Sequence, residues 1–266
     1  EILPLIEKKK VPLIAPLTGA SLLRKNDLKM VVNLRASYRM EIDKIVNSLI
    51  RSARQKIAVI YQDDAFGKDG LRSAAAALKK HGLKPVAIAT VQRNSAQINP
   101  ALRVLEKAQP NAVIIISTYV SSAALSKALL QKNIKARIMN VSFVGTRALE
   151  NSLPVGQANG IGVSQVVPFP WDRWIPVVAD YQRLMRVNNS SARFGFTSLE
   201  GFMAARLITE GIKNVQGPLT REALITSLKS IKKVDLGGFQ LDLSSNNKQA
   251  SDYVELTFFG AQQWEP

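Results

Sequence analysis

Residues capable of specific chemistry recur just after short apolar runs of this sequence. Asp63, Asp64 and Phe66 follow the run Ile57–Tyr61, which is typical of a strand buried on both faces of a parallel sheet. Ligands of open α/β sheets bind outside the carboxyl ends of such strands. Other apolar runs end similarly, and the predicted strand-end residues are Leu17, Thr18, Gly19, Asp63, Asp64, Phe66, Thr118, Tyr119, Ser142 and Phe143.

These strand-end residues combine hydroxyl groups, backbone donors beside a glycine, and aromatic rings, which is the mixture found in small-molecule clefts. Each residue also has a purely structural interpretation. Asp63 or Asp64, Thr18 and Ser142 are suitable N-caps, Tyr119 suits a helix start, and Phe66 suits a core. Their convergence on one sheet edge favours a binding site over the structural interpretations taken singly.

Catalytic chemistry has little support in the composition. The chain has no cysteine and one histidine, His81, which precedes a glycine at a predicted helix end. A thiol nucleophile and a histidine-rich zinc site are therefore excluded, and His81 lies at the wrong end of its helix for a triad at the strand ends. No P-loop occurs, and Gly160-Ile-Gly162 precedes a strand instead of opening a helix. We predict a binding protein with no catalytic residue, metal or cofactor. Catalysis by carboxylates alone, through Asp63 or Asp64, is the remaining enzymatic alternative.

The net charge of +16 suggests a nucleic-acid partner, but the distribution of the charges does not. Lys8–Lys10 and Lys232–Lys233 are short clusters at predicted helix ends, where cations complement the helix dipole. Elsewhere lysine and arginine are scattered singly among acids, without a nucleic-acid-binding motif. We therefore expect no nucleic-acid partner, and with no run of 18 apolar residues we expect no membrane span.

Strand-like and helix-like segments alternate through residue 167, which predicts an α/β fold with a parallel sheet and right-handed crossovers. Three longer helices are predicted after the proline-rich crossing segment Val166–Trp171, at about 175–187, 197–215 and 221–230. Phe239–Leu243 and Tyr253–Phe259 are predicted to pair as an antiparallel hairpin joined through Ser244–Asn247. The strands predicted before them are Val11–Pro16, Met30–Ala36, Ile57–Tyr61, Lys84–Val91, Ala112–Thr118, Ala136–Val141 and Ile161–Val167.

The order of these segments resembles the branched-chain-amino-acid type of periplasmic binding protein, the type I substrate-binding proteins of ABC transporters. The similarity extends over essentially the whole chain. Two short motifs, Thr18–Ala20 and Val141–Gly145, resemble a proteobacterial subgroup. The longer segments that carry the resemblance are Val11–Ala20, Ile57–Gly67, Ala112–Tyr119 and Gly237–Leu243.

The resemblance implies two doubly wound parallel-sheet lobes joined by a three-segment hinge. Lobe one is expected at 1–36 and 168–252, and lobe two at 37–167 and 253–266. By this resemblance we expect a monomeric protein in the periplasm. It would trap a solute as the lobes close and deliver the solute to the membrane permease of an ABC transporter. A ligand-sensing domain of a receptor or regulator is the alternative. By position, Leu17–Gly19 and Phe194 are expected to contact the solute from lobe one, and Phe66, Tyr119 and Ser142 from lobe two.

Two departures from the family pattern qualify this expectation. The family begins with a βαβαβ portion of lobe one that this sequence does not show, so we expect a fragment or a cleaved product. Separately, the first residues of the sequence do not have the pattern of a signal peptide. Amino-acid-binding members also hold the ligand ammonium with an acid where this chain has Ser142. A buried cation requires a paired charge, which favours an uncharged or anionic solute such as an amide or organic acid over a free α-amino acid. Asp63 or Asp64 is the possible compensating charge for an amino-acid-like solute.

Overall fold

The structure is a computed structural model that describes residues 2–244 and 249–260. It divides into two compact units, and each is an α/β assembly with its own core. Unit 1 comprises 1–37 and 166–253, and unit 2 comprises 38–165 and 254–266, so the chain passes between them three times. Among the described residues, no helix is both long and apolar enough to cross a membrane.

Unit 2 is built on one six-stranded sheet with helices on both faces. The sheet order is β10-β7-β6-β5-β3-β4, and all neighbours are parallel except β10, which is antiparallel to β7. The strands are β3 (Ile57–Gln62), β4 (Ala87–Val91), β5 (Ala112–Ile116), β6 (Arg137–Asn140), β7 (Gly162–Gln165) and β10 (Glu255–Phe258). The helices are α2 (Tyr38–Arg51), α3 (Ala65–Lys79), α4 (Asn99–Ala108), α5 (Tyr119–Gln131) and α6 (Thr146–Asn151).

The central strands of unit 2 are buried on both faces, which explains their unbroken apolar sequences. All five residues of β5 are buried, and side chains alternate between two cores, so that Ile114 packs on one face and Ile115 on the other. Helices α2 and α3 cover the face of Ile114, whereas α4, α5 and α6 cover the face of Ile115. The predicted repeated βα architecture is thus confirmed.

Unit 1 has two small sheets and a core formed mainly by its helices. In the first sheet, β1 (Leu13–Ile14) is parallel to β2 (Val31–Val32). In the second, β8 (Lys233–Asp235) is antiparallel to β9 (Gln240–Asp242). The helices are α1 (Leu3–Lys9), α7 (Pro176–Asn188), α8 (Phe196–Lys213) and α9 (Arg221–Ser230), and the described parallel sheet of this unit has two strands.

The predicted hairpin between 239–243 and 253–259 is wrong. Strand β9 pairs with the preceding strand β8, because Gly237 and Gly238 adopt positive φ angles and allow a tight turn. The Asp235 carboxylate stabilises that turn by accepting hydrogen bonds from both glycine N–H groups. Strand β10 instead completes the sheet of unit 2 beside β7. Of the predicted connection, residues 245–247 lie outside the described residues.

Candidate functional site

The strand order of unit 2 places a topological switch point between β3 and β5. Chain connections leave β3 toward β4 on one side and leave β5 toward β6 on the other. The helices that follow these strands lie on opposite faces, since α3 packs in the core with α2 and α5 packs in the core with α4. The loops therefore diverge at the carboxyl ends of β3 and β5, which is where ligands bind in doubly wound sheets.

Two buried polar atoms at this switch point have no hydrogen-bond partner among the described residues. They are Gln62 Oε1 and Ser117 Oγ, in residues that are 1% and 0% exposed. Tyr61 is opposite Ile116 in the sheet register, so Gln62 and Ser117 follow at neighbouring positions and, by strand alternation, on the same face. Buried polar groups are nearly always hydrogen-bonded, so this pair indicates a place for a polar group of a ligand or a water.

The loop after β3 uses its two carboxylates within unit 2. Asp64 is the N-cap of α3, because its Oδ1 accepts from Gly67 N at 3.0 Å. Its other oxygen accepts from the Gln62 amide and lies 3.9 Å from Arg93 Nη1. Asp63 pairs with Lys68 at 3.0 Å, and this hydrogen bond raises the pKa of the Lys68 ammonium. The structural interpretation of Asp64 is therefore correct, and Asp63 is a half-exposed member of an ion pair.

Helix α3 begins unusually close to the end of β3, because a glycine stands at the contact. A Cβ at Gly67 would lie 1.9 Å from the carbonyl oxygen of Gln62. One turn later, a Cβ at Gly70 would lie 2.6 Å from Ile116 Cγ2 of β5. These two glycines allow α3 to approach the strand ends, and they fix the position of Phe66 at the start of the helix.

Phe66, Phe143 and Tyr38 form an aromatic cluster at the same edge. The Phe66 ring centroid lies 4.8 Å from that of Phe143 and 5.0 Å from that of Tyr38, in tilted arrangements. Tyr38 is buried, whereas Phe66 and Phe143 are half-buried. The structure thus brings together two residues that the sequence analysis selected from different loops, and it adds Tyr38 from the first turn of α2.

Tyr119 and Thr118 occupy the start of α5, after β5. Tyr119 is 40% exposed, so its ring is accessible at the carboxyl edge of the sheet. The Thr118 hydroxyl donates to Asn94 Oδ1 at 2.9 Å, and Ser121 Oγ donates to the Ser95 carbonyl at 2.7 Å. The first turn of α5 is therefore fixed to the loop that follows β4.

Ser142 follows β6, and a buried carboxylate from α2 holds its backbone. Glu41 Oε2 accepts from Ser142 N at 2.8 Å and from Ser164 Oγ of β7 at 2.6 Å. Glu41 is 0% exposed. A carboxylate therefore lies directly behind Ser142, although the acid expected at position 142 itself in amino-acid-binding members is absent. Beside it, Gln165 Nε2 donates to the hydroxyl groups of Thr146 and Thr257, each at 2.9 Å.

The predicted residues of unit 1 have different surroundings. Leu17 is 47% exposed, while Thr18 Oγ1 accepts from Ala20 N and Gly19 is buried in the same turn. Phe194 is only 4% exposed, and it packs against Tyr181 with the Arg186 guanidinium over its ring. Its burial places Phe194 in the core of unit 1.

Sequence reasoning missed Glu41, Gln62, Ser117, Ser164 and Gln165. Glu41 had a detectable signal, because it falls within the apolar helical stripe that includes Tyr38, Ile42 and Ile45. A charged residue on such a stripe requires a buried partner. The other four residues lie at or next to the ends of strands that otherwise look like ordinary buried runs, and nothing local distinguishes them.

Unit 1 also contains a cavity of about 200 Å³ lined by Leu23, Arg24, Val32, Leu228 and Gln249, among other residues. The Arg24 guanidinium donates to Gln249 Oε1 and to the carbonyl groups of Ala20 and Arg35. The Arg24 guanidinium therefore links three segments of unit 1 through hydrogen bonds. Within the described part of the chain, no three His, Cys, Asp or Glu side chains are grouped closely enough to hold a metal ion.

Comparison with known families identifies the class of protein. Residues 1–258 match the family described as periplasmic binding protein. The chain belongs to this family, and it is a solute-binding protein of the α/β type I fold that the sequence order indicated. A comparison with proteins of curated function gave no match.

Solved structures of similar fold agree with this assignment. A possible leucine/isoleucine/valine-binding protein from Rhodopirellula baltica SH 1 is 32% identical, with a TM-score of 0.92 over 97% of this chain and 71% of that one. A substrate-binding periplasmic protein from Ralstonia solanacearum is 28% identical, with a TM-score of 0.88 over 96% of this chain and 72% of that one. At the level of the fold alone, a branched-chain amino acid ABC transporter protein from Thermus thermophilus with bound valine is 16% identical, with a TM-score of 0.84 over 98% of this chain and 72% of that one.

Proposed function

We propose that the carboxyl edge of the unit 2 sheet binds a small organic solute, and that the chain presents this solute to an ABC-transporter permease outside the cytoplasm. Gln62 Oε1 and Ser117 Oγ carry the proposal, since they are buried at the switch point without a partner among the described residues. Family membership supports the transport role. We propose that the chain acts as a monomer and performs no chemical turnover. We further propose that Leu17–Gly19 of unit 1 contact the solute, as the family resemblance implies.

The aromatic cluster and Tyr119 indicate where the apolar part of a solute binds. Phe66 and Phe143 are half-buried and in mutual contact, and Tyr119 is accessible at the start of α5. Apolar walls with a few placed polar groups are the usual composition of a small-molecule site. Ser142 and Thr118 supply hydroxyl groups at the same edge. We infer that the solute combines an apolar body with a hydrogen-bonding end.

The charges at this edge favour an amide or an organic acid over a free α-amino acid. Asp63 is engaged by Lys68, Asp64 caps α3, and Glu41 is buried against Ser142 and Ser164. An ammonium group bound here would compete with those existing partners. An anionic group would instead share Lys68 with Asp63 and Arg93 with Asp64, and these cationic side chains are 55% and 66% exposed. The similarity to the Rhodopirellula protein supports a branched aliphatic amino acid as the competing solute.

A thermal-shift screen distinguishes these solutes. The panel contains branched-chain amino acids, their amides, the corresponding organic acids, aromatic acids and sugars. A solute at about one hundred times its Kd stabilises the folded state by about 2.7 kcal/mol, which raises the Tm measurably. We expect a selective shift with an amide or acid. A shift confined to free α-amino acids would contradict the assigned solute class, and no shift in a folded protein would contradict the binding site.

A further inference from the structure

The basic residues of unit 2 are scattered in sequence but gathered in space at the amino edge of its sheet. Strands β3, β4, β5 and β6 are parallel, so they all begin at this edge, and α2, α3, α4 and α5 all end there. Ten basic residues fall in these helix ends, connecting loops and strand starts. They are Arg51, Arg54, Lys56, Lys79, Lys80, Lys84, Lys107, Lys132, Lys135 and Arg137, and together they are called the basic edge.

Two carboxylates compensate part of this charge. Lys80 Nζ lies 2.8 Å from Asp43, and Lys132 Nζ lies 2.9 Å from Glu106. The other eight members of the basic edge have no carboxylate within 4.0 Å in the part of the chain that the structure describes. Most of them are exposed, and Arg54 and Arg137 are half-buried. The basic edge therefore carries a large excess of positive charge.

Helix capping explains at most half of these cations. Lys80 and Lys132 are the C-cap residues of α3 and α5. Arg51, Lys79 and Lys107 lie in the last turns of their helices, where a positive charge complements the helix dipole. That effect falls off within one turn. Lys56, Lys84 and Lys135 lie beyond the helices, on loops or just before strands, and contribute nothing to capping. Helix capping therefore does not explain why these three lysines lie at the same edge of the sheet.

We propose that the basic edge is an electrostatic docking surface for a bilayer rich in anionic phospholipids. The proposal goes beyond the solute-binding function and does not depend on it. Its cations are distributed along four neighbouring strands, about 15 Å in all, instead of converging on one pocket, which matches an extended array of headgroups. Each Lys or Arg held near an anionic membrane surface adds to the attraction.

Single-stranded nucleic acid fits this surface less well. Proteins that bind single-stranded nucleic acid combine basic grooves with aromatic rings on which bases stack. The connecting segments of the basic edge, 52–56, 79–86, 107–111 and 131–137, contain no Phe, Tyr or Trp. The partly exposed ring of Phe258 in β10 is occupied by the Arg137 guanidinium, 5.4 Å from its centroid. Docking by this edge also leaves the opposite, carboxyl edge of the same sheet uncovered, so that a solute site there stays accessible while unit 2 rests on a membrane.

The test is co-sedimentation of the full chain with phosphatidylcholine vesicles that contain or lack phosphatidylglycerol. We expect binding only with phosphatidylglycerol, and a steep loss of binding as salt is raised, because exposed charges are screened. The triple variant Lys56→Glu, Lys84→Glu and Lys135→Glu should reduce binding by at least about tenfold. The control, Lys25→Glu, Arg193→Glu and Lys232→Glu, makes the same change in net charge at exposed positions of unit 1 and should bind within about threefold of the parent.

Three outcomes would overturn the proposal. They are an absence of binding by the parent protein at low salt, an equal loss in both triple variants, and binding of single-stranded RNA that is as tight as vesicle binding and equally sensitive to the edge substitutions. Circular dichroism and melting curves establish that each variant is folded. If the reversed triple variant does not fold, the corresponding Lys→Gln variant, compared with its own matched control, decides the question in the same assay.

Discussion

The two edges of the unit 2 sheet use their polar groups in opposite ways. At the carboxyl edge, Glu41, Gln62 and Asp64 are engaged within the unit, and most of the polar atoms around them have short, specific hydrogen bonds. At the amino edge, most of the cations are exposed and without a carboxylate partner among the described residues. Parallel topology gathers polar groups at both edges, but only at the carboxyl edge do hydrogen bonds within the unit hold most of them in defined positions.

Glycine substitutions at the two ends of α3 should show the largest difference between the edges. Gly67→Ala forces a Cβ against the Gln62 carbonyl, which should lower the free energy of unfolding by at least about 3 kcal/mol. Gly82 lies after α3 at the amino edge, with φ of +70° and no atom within 4 Å of an added Cβ. Gly82→Ala should therefore cost about 1 kcal/mol. Urea denaturation measures both, and equal losses would contradict the close approach at Gly67.

Two carboxylates on α2 provide the second comparison. Glu41→Ala removes the buried carboxylate that accepts the short hydrogen bonds from Ser142 N–H and the Ser164 hydroxyl, which should cost about 2 kcal/mol or more. Asp43, two residues later, forms an ion pair with Lys80 near the surface. Asp43→Ala should cost less than about 1 kcal/mol. A smaller loss from Glu41→Ala than from Asp43→Ala, measured by chemical denaturation, would mean that Glu41 does not organise the carboxyl edge.

Substitutions at the two ends of α5 separate solute binding from stability. Tyr119→Ala should weaken affinity for the solute found in the thermal-shift screen by more than about tenfold, because its exposed ring lies at the carboxyl edge. Leu130 is 52% exposed at the opposite end of the helix, and Leu130→Ala should leave affinity unchanged. Isothermal titration measures both. Unchanged affinity in a folded Tyr119→Ala protein would remove Tyr119 from the site.

The smallest expected effect is a pH dependence at Lys68. The hydrogen bond to Asp63 raises the pKa of Lys68 in the folded state, so its stabilisation is fully present below the unfolded pKa of about 10.5 and is lost as pH rises through the folded pKa. The difference in Tm between the parent and Lys68→Met should therefore be constant between about pH 6 and about pH 9.5 and shrink above about pH 10.5. Lys84, which has no carboxylate within 4.0 Å among the described residues, is the control at the amino edge.

Much of the fold followed from local patterns in the sequence. The apolar runs Ile57–Tyr61 and Ala112–Thr118 predicted two central strands, and the helix predicted at 221–230 has those bounds in the structure. The placement of the last strand was wrong, because the sequence of β10 does not specify which sheet it joins. Strand pairing depends on partners distant in the chain, and apolar periodicity carries no information about them.

The sequence by itself determined the α/β class, the positions of most strands and helices, and the family resemblance. These depend on apolar runs and on the helical spacing of apolar residues, which are properties of residues close together in the chain. Only the tertiary structure decided the rest. It placed Glu41 behind Ser142, left the atoms Gln62 Oε1 and Ser117 Oγ without partners among the described residues, and collected scattered lysines at one edge. Each of these follows from strand order, which is set by the burial of the assembled chain and not by any local segment.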